Sequence, residues 1–514
     1  MTDRVTLSPN DSLWLNMDTP ENLMIIESVM WFAEPLDPEG VVATLQHRLV
    51  EPYPVFTWRP ERAEGVVGSD HWVADPGFDV RQHVTFHDLG DAPGHDAIQR
   101  FLQQRMSEPL PRDRPLWQAH VLTGDGVSAV VLRFHHAIAD GTALVRVLLG
   151  MTTETAEEGL ADLQAMTGRA HAAPEDAHAS PIPQPDAEVH PVEPTPLERA
   201  HHGPFERARN AFSHLVTLPV AAGVVATNSA ANLVHMLDPD TSGSWVSRLA
   251  DQARGGADTL DKLIVGTAPD ALPFGRPGIV KQADWAPGYD LGEVKRVAKA
   301  RGATVNDVML AALSGALRRY VLARGEVPQD VVTMIPVNLR PWDAPLPAHL
   351  GNKFALVALE LPLAAPTPAA RLAEAKARMD VVKQGPEALV TFGLAHAIGS
   401  VGAVTGTLSR QMIAYFGNKA FGVTTNVPGP PEPRYFAGRE MVGVLGWVPG
   451  ASHQTLGVCI FSYNGSIRVG FKADVAVIPD VEQLVAAFDE EMADIIAETD
   501  AALAAAAAQG PAEA

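Results

Sequence analysis

Apolar positions in the first part of the chain, to about residue 160, follow two rhythms, one of period two and one near 3.6. Leu23 to Phe32 is a nearly unbroken apolar run of strand length. Asp37-Pro38 supplies an N-cap and a proline at the first helical position, which predicts a helix running to about Val50. Between Gly94 and Glu108, the residues Ile98, Phe101, Leu102 and Met106 share one face of a second helix. A hairpin follows, with Trp117 to Leu122 outward, a turn at Gly124-Asp125-Gly126, and Ser128 to Phe134 returning. The pattern then predicts a helix from about Thr142 to Met151, and a second α/β stretch extends from about Thr259 to Thr499.

Composition breaks this pattern once. From about Thr167 to Pro204 the chain is dominated by Pro, Ala, His and Glu, which reads as a linker. Five histidines fall there (His171, His178, His190, His201, His202), but their irregular spacing lacks metal-ligand geometry, and no metal site is expected. The resulting division is 1–166 for a first domain, 167–204 for the linker, 205–258 for a helical connection, 259–500 for a second domain, and 501–514 for an alanine-rich tail expected to fray. Two apolar runs, Leu215 to Leu237 and Leu394 to Leu408, are broken by polar or small residues. They fall short of the ~18 uninterrupted apolar residues of a span, and read as close-packed helices or interfacial surfaces.

Charge and cysteine content narrow the classes. The net charge of −22 over 514 residues leaves no electrostatic footprint for nucleic acid, and any membrane contact should be apolar or confined to a local patch. The single cysteine, Cys459, excludes an intramolecular disulfide and sits in the strand-like run Leu456 to Phe461 as a buried structural thiol. Together with a start, Met1-Thr2-Asp3-Arg4-Val5-Thr6, that lacks signal-peptide character, this favours a reducing, cytoplasmic setting.

The candidate chemistry lies at the end of the hairpin, in His135-His136-Ala137-Ile138-Ala139-Asp140-Gly141. Strand alternation puts His136 on the face of Val130, Leu132 and Phe134, and His135 on the face of Val131 and Arg133, so the two imidazoles have different jobs. An imidazole titrates near neutrality and suits a general base that removes a hydroxyl proton during acyl transfer, then returns it to the leaving group. His136, His135 and Asp140 form the candidate catalytic set, with His136 as base and Gly141 opening the next helix. Asp140 lies four residues on and past a turn, so it reads as one side of a structural ion pair, with Arg340 as partner, in preference to a relay. By itself the triplet fits two satisfied histidines and an N-cap equally well.

The context of that run decides between these readings. With Pro115-Leu116-Trp117 just before it, the sequence resembles the bacterial wax ester synthase/diacylglycerol acyltransferase family. Further landmarks occur in the family's order: Leu7-Ser8-Pro9-Asn10-Asp11, Trp72-Val73, Phe78 to Val84, Asn306-Asp307-Val308-Met309-Leu310-Ala311, Pro336-Val337-Asn338-Leu339-Arg340, Leu350-Gly351-Asn352-Lys353-Phe354, Asn426-Val427-Pro428-Gly429-Pro430 and Ser462-Tyr463-Asn464-Gly465. The resemblance implies an α/β fold of two chloramphenicol-acetyltransferase-like, condensation-domain-like domains. Each would be a mixed sheet flanked by helices, with an active-site tunnel between them. It further implies the second histidine as base, long-chain acyl-CoA as co-substrate with no cofactor, and diacylglycerol or a long-chain alcohol as acceptor. The product would be triacylglycerol or wax ester, made in peripheral contact with the membrane or lipid inclusions. Two stretches depart from the family pattern, Asn22 to Glu27 and Thr424-Thr425, and bear on acyl or acceptor preference.

Several landmarks also have structural readings. Thr304 and Asp307 fit a capping box, which makes Asp307 structural. Asn306 is either an oxyanion donor facing the tunnel or simple packing, and Asn426 either serves the site or holds its loop. Trp117 reads as a core aromatic, and Pro428-Gly429-Pro430 as a rigid loop whose glycine permits close backbone approach. Gly446 to Pro449 reads as core more than acyl passage. Two other functions share the fold: a carrier-protein-dependent condensation-type acyltransferase, and a non-enzymatic lipid-binding or inclusion protein.

Overall fold

In the computed structural model the described residues are 4–62, 70–91, 94–125, 127–170, 276–340, 344–384 and 420–508. The first half runs β1 (Arg4–Thr6), α1 (Pro9–Met17), β2 (Ile25–Phe32), α2 (Pro38–Leu45), β3 (Trp58–Glu61), β4 (His71–Ala74), β5 (Val84–Asp88), α3 (Gly94–Arg105), β6 (Trp117–Gly124), β7 (Val127–His135), α4 (Gly141–Gly150), β8 (Thr152–Thr153) and α5 (Ala156–Ala170). The second half continues with β9 (Lys281–Trp285), β10 (Tyr289–Asp290), α6 (Leu291–Ala300), α7 (Val305–Ala323), β11 (Val331–Asn338), β12 (Phe354–Leu361), α8 (Pro368–Gln384), β13 (Gly422–Pro428), β14 (Arg434–Phe436), β15 (Arg439–Trp447), β16 (Leu456–Tyr463), β17 (Ser466–Asp474) and α9 (Val481–Ala508).

Two seven-stranded mixed sheets with flanking helices give the two-domain architecture. The first has the order β5-β6-β7-β2-β15-β14-β8, and the second β10-β17-β16-β13-β11-β12, with β9 added beside β17. In the first, only β5 and β6 run parallel; in the second, β13 runs parallel to both β11 and β16. Strand position explains the apolar pattern. Central β16 is buried at every position but Ser462, whereas edge strand β12 alternates buried and half-exposed residues. The hairpin expected from Trp117 to Phe134 is β6–β7, and Cys459 lies buried in β16 as expected.

Three boundaries differ from the sequence reading. Residues 434–447 do not stay with the second sheet: β15 pairs antiparallel with β2, placing Val444 opposite Met30 and Trp447 opposite Glu27, and so completes the first sheet. Alternation announces a strand but not the sheet it joins. Helix α5 continues through residues 167–170, where the linker was expected to begin, and Thr167 Oγ1 donates to Leu163 O at 2.8 Å within it. At the other end, α9 reaches Ala508, well into the tail expected to fray from residue 501, with its last eight residues exposed. The remaining linker residues, the connection 205–258, the apolar runs 215–237 and 394–408, and the five linker histidines lie outside the described residues.

Charge pairs buried inside the protein tie these layers together. Glu27 of β2, fully buried, accepts from Lys472 Nζ of β17 at 2.8 Å, an ion pair that joins the two sheets. In the second half, Glu491 of α9 is buried against Arg371 of α8, and Arg319 of α7 reaches it at 3.1 Å. Gly315 makes that approach feasible: a Cβ there would lie 2.0 Å from Glu491 Cδ.

Candidate active site

Strand β7 ends at His135, opposite Ile25 of β2. There the chain turns: His135 N–H donates to Leu116 O at 3.0 Å and His136 N–H to Met24 O at 2.7 Å, so consecutive residues are anchored on opposite neighbours. Asp140 closes the turn as N-cap of α4, its Oδ1 accepting from Ala143 N–H at 2.8 Å, and Gly141 is the first helical residue.

The second half meets this turn through Leu350 to Phe354. Gly351 N–H donates to Ile138 O at 3.0 Å, and both Leu350 (φ 51°) and Gly351 (φ 74°) adopt left-handed backbone. Lys353 N–H donates to the second carboxylate oxygen of Asp140 at 2.9 Å. The expected Asp140–Arg340 pair is present only at the limit of contact, 4.0 Å. Arg340 Nη2 instead donates to Leu350 O and Gly351 O, at 3.0 and 3.1 Å, and so braces the left-handed turn. Asp140 therefore holds two backbone amides from opposite halves of the chain.

Asn352 carries the contact to the imidazole. Its Nδ2 donates to His136 O at 2.8 Å and to Asp11 Oδ1 at 2.8 Å, and its backbone N–H donates to the same Asp11 oxygen at 2.9 Å. A carbonyl oxygen can only accept, so the amide cannot be turned over, and Asn352 Oδ1 must face His136 Nδ1, 2.9 Å away. Nδ1 then carries the proton and the neutral ring's lone pair is on Nε2. Burial holds the His136 pKa down to about 4, against an ordinary value of 6.5, so the ring is neutral at pH 7. Trp14 stacks on it with centroids 3.8 Å apart and planes 13° apart, and Phe354 lies tilted at 5.6 Å.

His135 has the opposite tautomer. Its Nδ1 accepts from Ala137 N–H at 3.1 Å, which puts the proton on Nε2, 3.8 Å from Asp18 Oδ2. Fully buried, its imidazole is also held below the usual range by desolvation. The two rings have different partners, and the strand stops at His135, one residue short of the ring whose face the alternation was to set. His135 fixes the turn, and His136 is the ring held by the second half.

Asp11 reaches the site from the first turn of α1, where Ser8 is the N-cap. Ser8 Oγ donates to its Oδ2 at 2.6 Å, and burial raises the carboxyl above the usual carboxylate range. Asp11, Trp14, Asn352 and Phe354 were not among the candidates from sequence. Two of the quoted motifs, Leu7 to Asp11 and Leu350 to Phe354, contained Asp11, Asn352 and Phe354, but nothing in either spacing says that they meet.

The other candidates fall elsewhere. Asn426 Nδ2 donates to Asn306 Oδ1 at 3.0 Å, so these two meet each other, and neither hydrogen-bonds His136 among the described residues. Thr304 and Asp307 form the expected capping box of α7. Trp117 is fully buried, donating from Nε1 to Phe56 O at 2.8 Å and stacked on His83. Gly429 has the close approach expected of it, since a Cβ would lie 2.3 Å from Ser462 O.

Comparison with known proteins now adds to this geometry. Residues 7–232 match the wax ester synthase/diacylglycerol acyltransferase catalytic domain, and residues 350–496 match the WS/DGAT C-terminal domain. The chain belongs to the wax ester synthase/diacylglycerol acyltransferase family. It is an acyltransferase of that family, and both matches include residues of the His136 network. A Mycobacterium tuberculosis protein named as a probable diacylglycerol O-acyltransferase is 25% identical over 477 residues, 90% of this chain and 88% of that one. A second relative of the same named activity and organism is 29% identical over 443 residues, 83% and 82% of the two chains. The solved wax ester synthase/diacylglycerol acyltransferase from Marinobacter aquaeolei VT8 superposes with a TM-score of 0.61 at 19% identity, covering 96% of this chain and 100% of that one. The first condensation domain of the calcium-dependent antibiotic synthetase gives 0.54 at 17% identity, covering 96% and 98%. These two likenesses establish the shared fold. Among the described residues no helix is long and apolar enough to cross a membrane.

Proposed function

We propose that this WS/DGAT-family acyltransferase moves a long-chain acyl group from acyl-CoA to the hydroxyl of diacylglycerol or a long-chain alcohol, with His136 Nε2 as general base. The observation that carries the reading is the Asn352 amide, which fixes the proton on His136 Nδ1 and leaves the Nε2 lone pair for the acceptor hydroxyl. Nε2 takes the hydroxyl proton as the oxygen attacks the thioester carbonyl. The tetrahedral intermediate then expels the thiolate, which recovers that proton from Nε2.

No acyl-enzyme is needed, and the buried Cys459 thiol, pushed up to about 12, is a poor nucleophile at pH 7. With Asn426 donating to Asn306 Oδ1, the Asn306 Nδ2 group is the candidate donor to the oxyanion. The reading calls for acyl-CoA as co-substrate and for no metal or other cofactor. The relatives named for diacylglycerol support a lipid acceptor, met through peripheral contact with the cytoplasmic face of the membrane or with lipid inclusions.

A test is an acceptor panel of diacylglycerol, long-chain alcohols and short alcohols at fixed palmitoyl-CoA, read as free CoA. Acceptor-dependent release that His136→Ala reduces by a factor on the order of a hundred or more, with the fold intact, is the expected result. Most activity surviving in that variant would overturn the base assignment. Transfer from an acylated carrier protein but not from acyl-CoA would favour the condensation-type reading, and lipid binding without CoA release the non-enzymatic one.

A further inference from the structure

Taking the acceptor's proton turns His136 into an imidazolium inside the protein, in a residue only 7% exposed. A buried cation is costly unless something offsets it. Among the described residues no hydrogen bond brings an anion to the ring, since Asn352 Oδ1, facing Nδ1 at 2.9 Å, is a neutral acceptor. Asp140 commits its two oxygens to the N–H groups of Ala143 and Lys353, and so acts on the ring only from a distance. Asp11 commits one oxygen to Asn352 and the other to Ser8. His135, kept neutral by burial, turns its Nε2 toward Asp18.

What does meet the ring is the face of an indole. Trp14 lies over His136 with centroids 3.8 Å apart and planes 13° apart, well inside the ~6 Å over which an aromatic face attracts a cation. Among aromatic side chains tryptophan attracts a cation best, and the attraction grows where water is excluded. Phe354 bears on both rings, 5.6 Å from His136 and 5.8 Å from Trp14. The in-plane bond to Asn352 and the stack on Trp14 act at right angles. The first fixes where the ring's edge points, and the second fixes its plane.

One face of α1 delivers both constraints. Asp11, Trp14 and Asp18 are spaced three and then four residues apart, so they share that face. Asp11 holds Asn352, Trp14 covers His136, and Asp18, the C-cap, accepts from Met24 N–H at 2.7 Å and lies 3.8 Å from His135 Nε2. Met24 is in turn the residue whose carbonyl receives the His136 N–H. Trp14 is only half-buried at the edge of the first core, so replacing it removes little of that core.

We propose that Trp14 is a positioning residue for the base, its π face holding the plane of the His136 ring and stabilising the imidazolium formed during transfer. This rests on His136 as base, and the experiment tells the two apart. Single turnovers of the full-length protein are followed with palmitoyl-CoA and an acceptor taken from the panel. Trp14→Leu should slow transfer about tenfold, with steady-state KM for both substrates within about twofold, and Trp14→Phe should recover most of that loss.

The deciding readout leaves the shape unchanged. Trp14 alone, of the nine tryptophans, is replaced site-specifically by mono-, di- and trifluorotryptophan, which weakens the negative face of the indole at nearly constant size. The transfer rate should fall step by step with fluorine number, by about threefold to tenfold over the series. A flat series in a folded enzyme that His136→Ala inactivates removes the role of Trp14 and leaves the base standing. A rise in KM with the transfer rate unchanged would also overturn it, by making Trp14 a substrate contact. His136→Ala that keeps its activity removes the base, and the role of Trp14 with it.

Discussion

Replacing Asn352 by Ala tests how the base is poised, because it removes the acceptor at 2.9 Å from His136 Nδ1 while keeping the backbone N–H that Asp11 holds. The His136 N–H is then left buried without that partner, at a cost of about 1–3 kcal/mol. If the cost appears in the transition state, where the ring becomes cationic and the lost bond matters most, kcat falls by a factor of roughly 5 to 150 at 1.36 kcal/mol per decade. The assay is kcat/KM against pH for CoA release, alongside a thermal melt to confirm folding.

The pH profile carries its own sign. The base must be neutral, and burial lowers its pKa to about 4, so wild-type kcat/KM should stay level from pH 8 down to about 5. The Asn352 bond raises that pKa, so its removal moves any acid limb further down, not up. The same depression implies that stability from this group is full above pH 6.5 and is lost as pH falls toward 4, because the unfolded imidazole takes up its proton first. From 6.5 to about 4 the linked loss is about 3 kcal/mol. Folded Asn352→Ala with kcat within twofold of wild type, or a wild-type acid limb at the ordinary histidine value, would refute the reasoning.

Two further substitutions probe the frame. Gly315→Ala places a Cβ 2.0 Å from Glu491 Cδ where α7 meets α9, and should cost at least about 2 kcal/mol in urea unfolding; an unchanged midpoint would show that the helices slide apart freely. Lys472→Met removes the 2.8 Å partner of the buried Glu27 carboxylate, leaving it Arg133 Nε at 3.8 Å, and should destabilise by about 3 kcal/mol, whereas the pair Glu27→Gln with Lys472→Met should recover part of it in a double-mutant cycle. Additive losses would contradict a direct ion pair.

Local patterns determined a good deal of this protein. Asp37-Pro38 announced α2, the Thr304–Asp307 spacing announced the capping box of α7, and the alternation through β7 showed that His135 and His136 must differ. Each is a matter of a few neighbouring residues, where backbone periodicity and one side chain suffice. Which sheet β15 would join was not legible, because an alternating strand carries no address; its partner β2 lies more than four hundred residues earlier, and pairing is decided by which edge remains open once both halves pack.

The site shows the same division. The seven-residue run offered His136 as the candidate base and Asp140 at the turn, and the surrounding motifs chose that reading over two merely satisfied histidines. The proton's position on His136 is set by Asn352, 216 residues away, itself held by Asp11 at the start of the chain. No periodicity links three such positions. Only the tertiary structure, by bringing a left-handed turn against the end of β7, places an amide that cannot be turned over beside the imidazole and so decides which ring nitrogen carries the proton and which the lone pair.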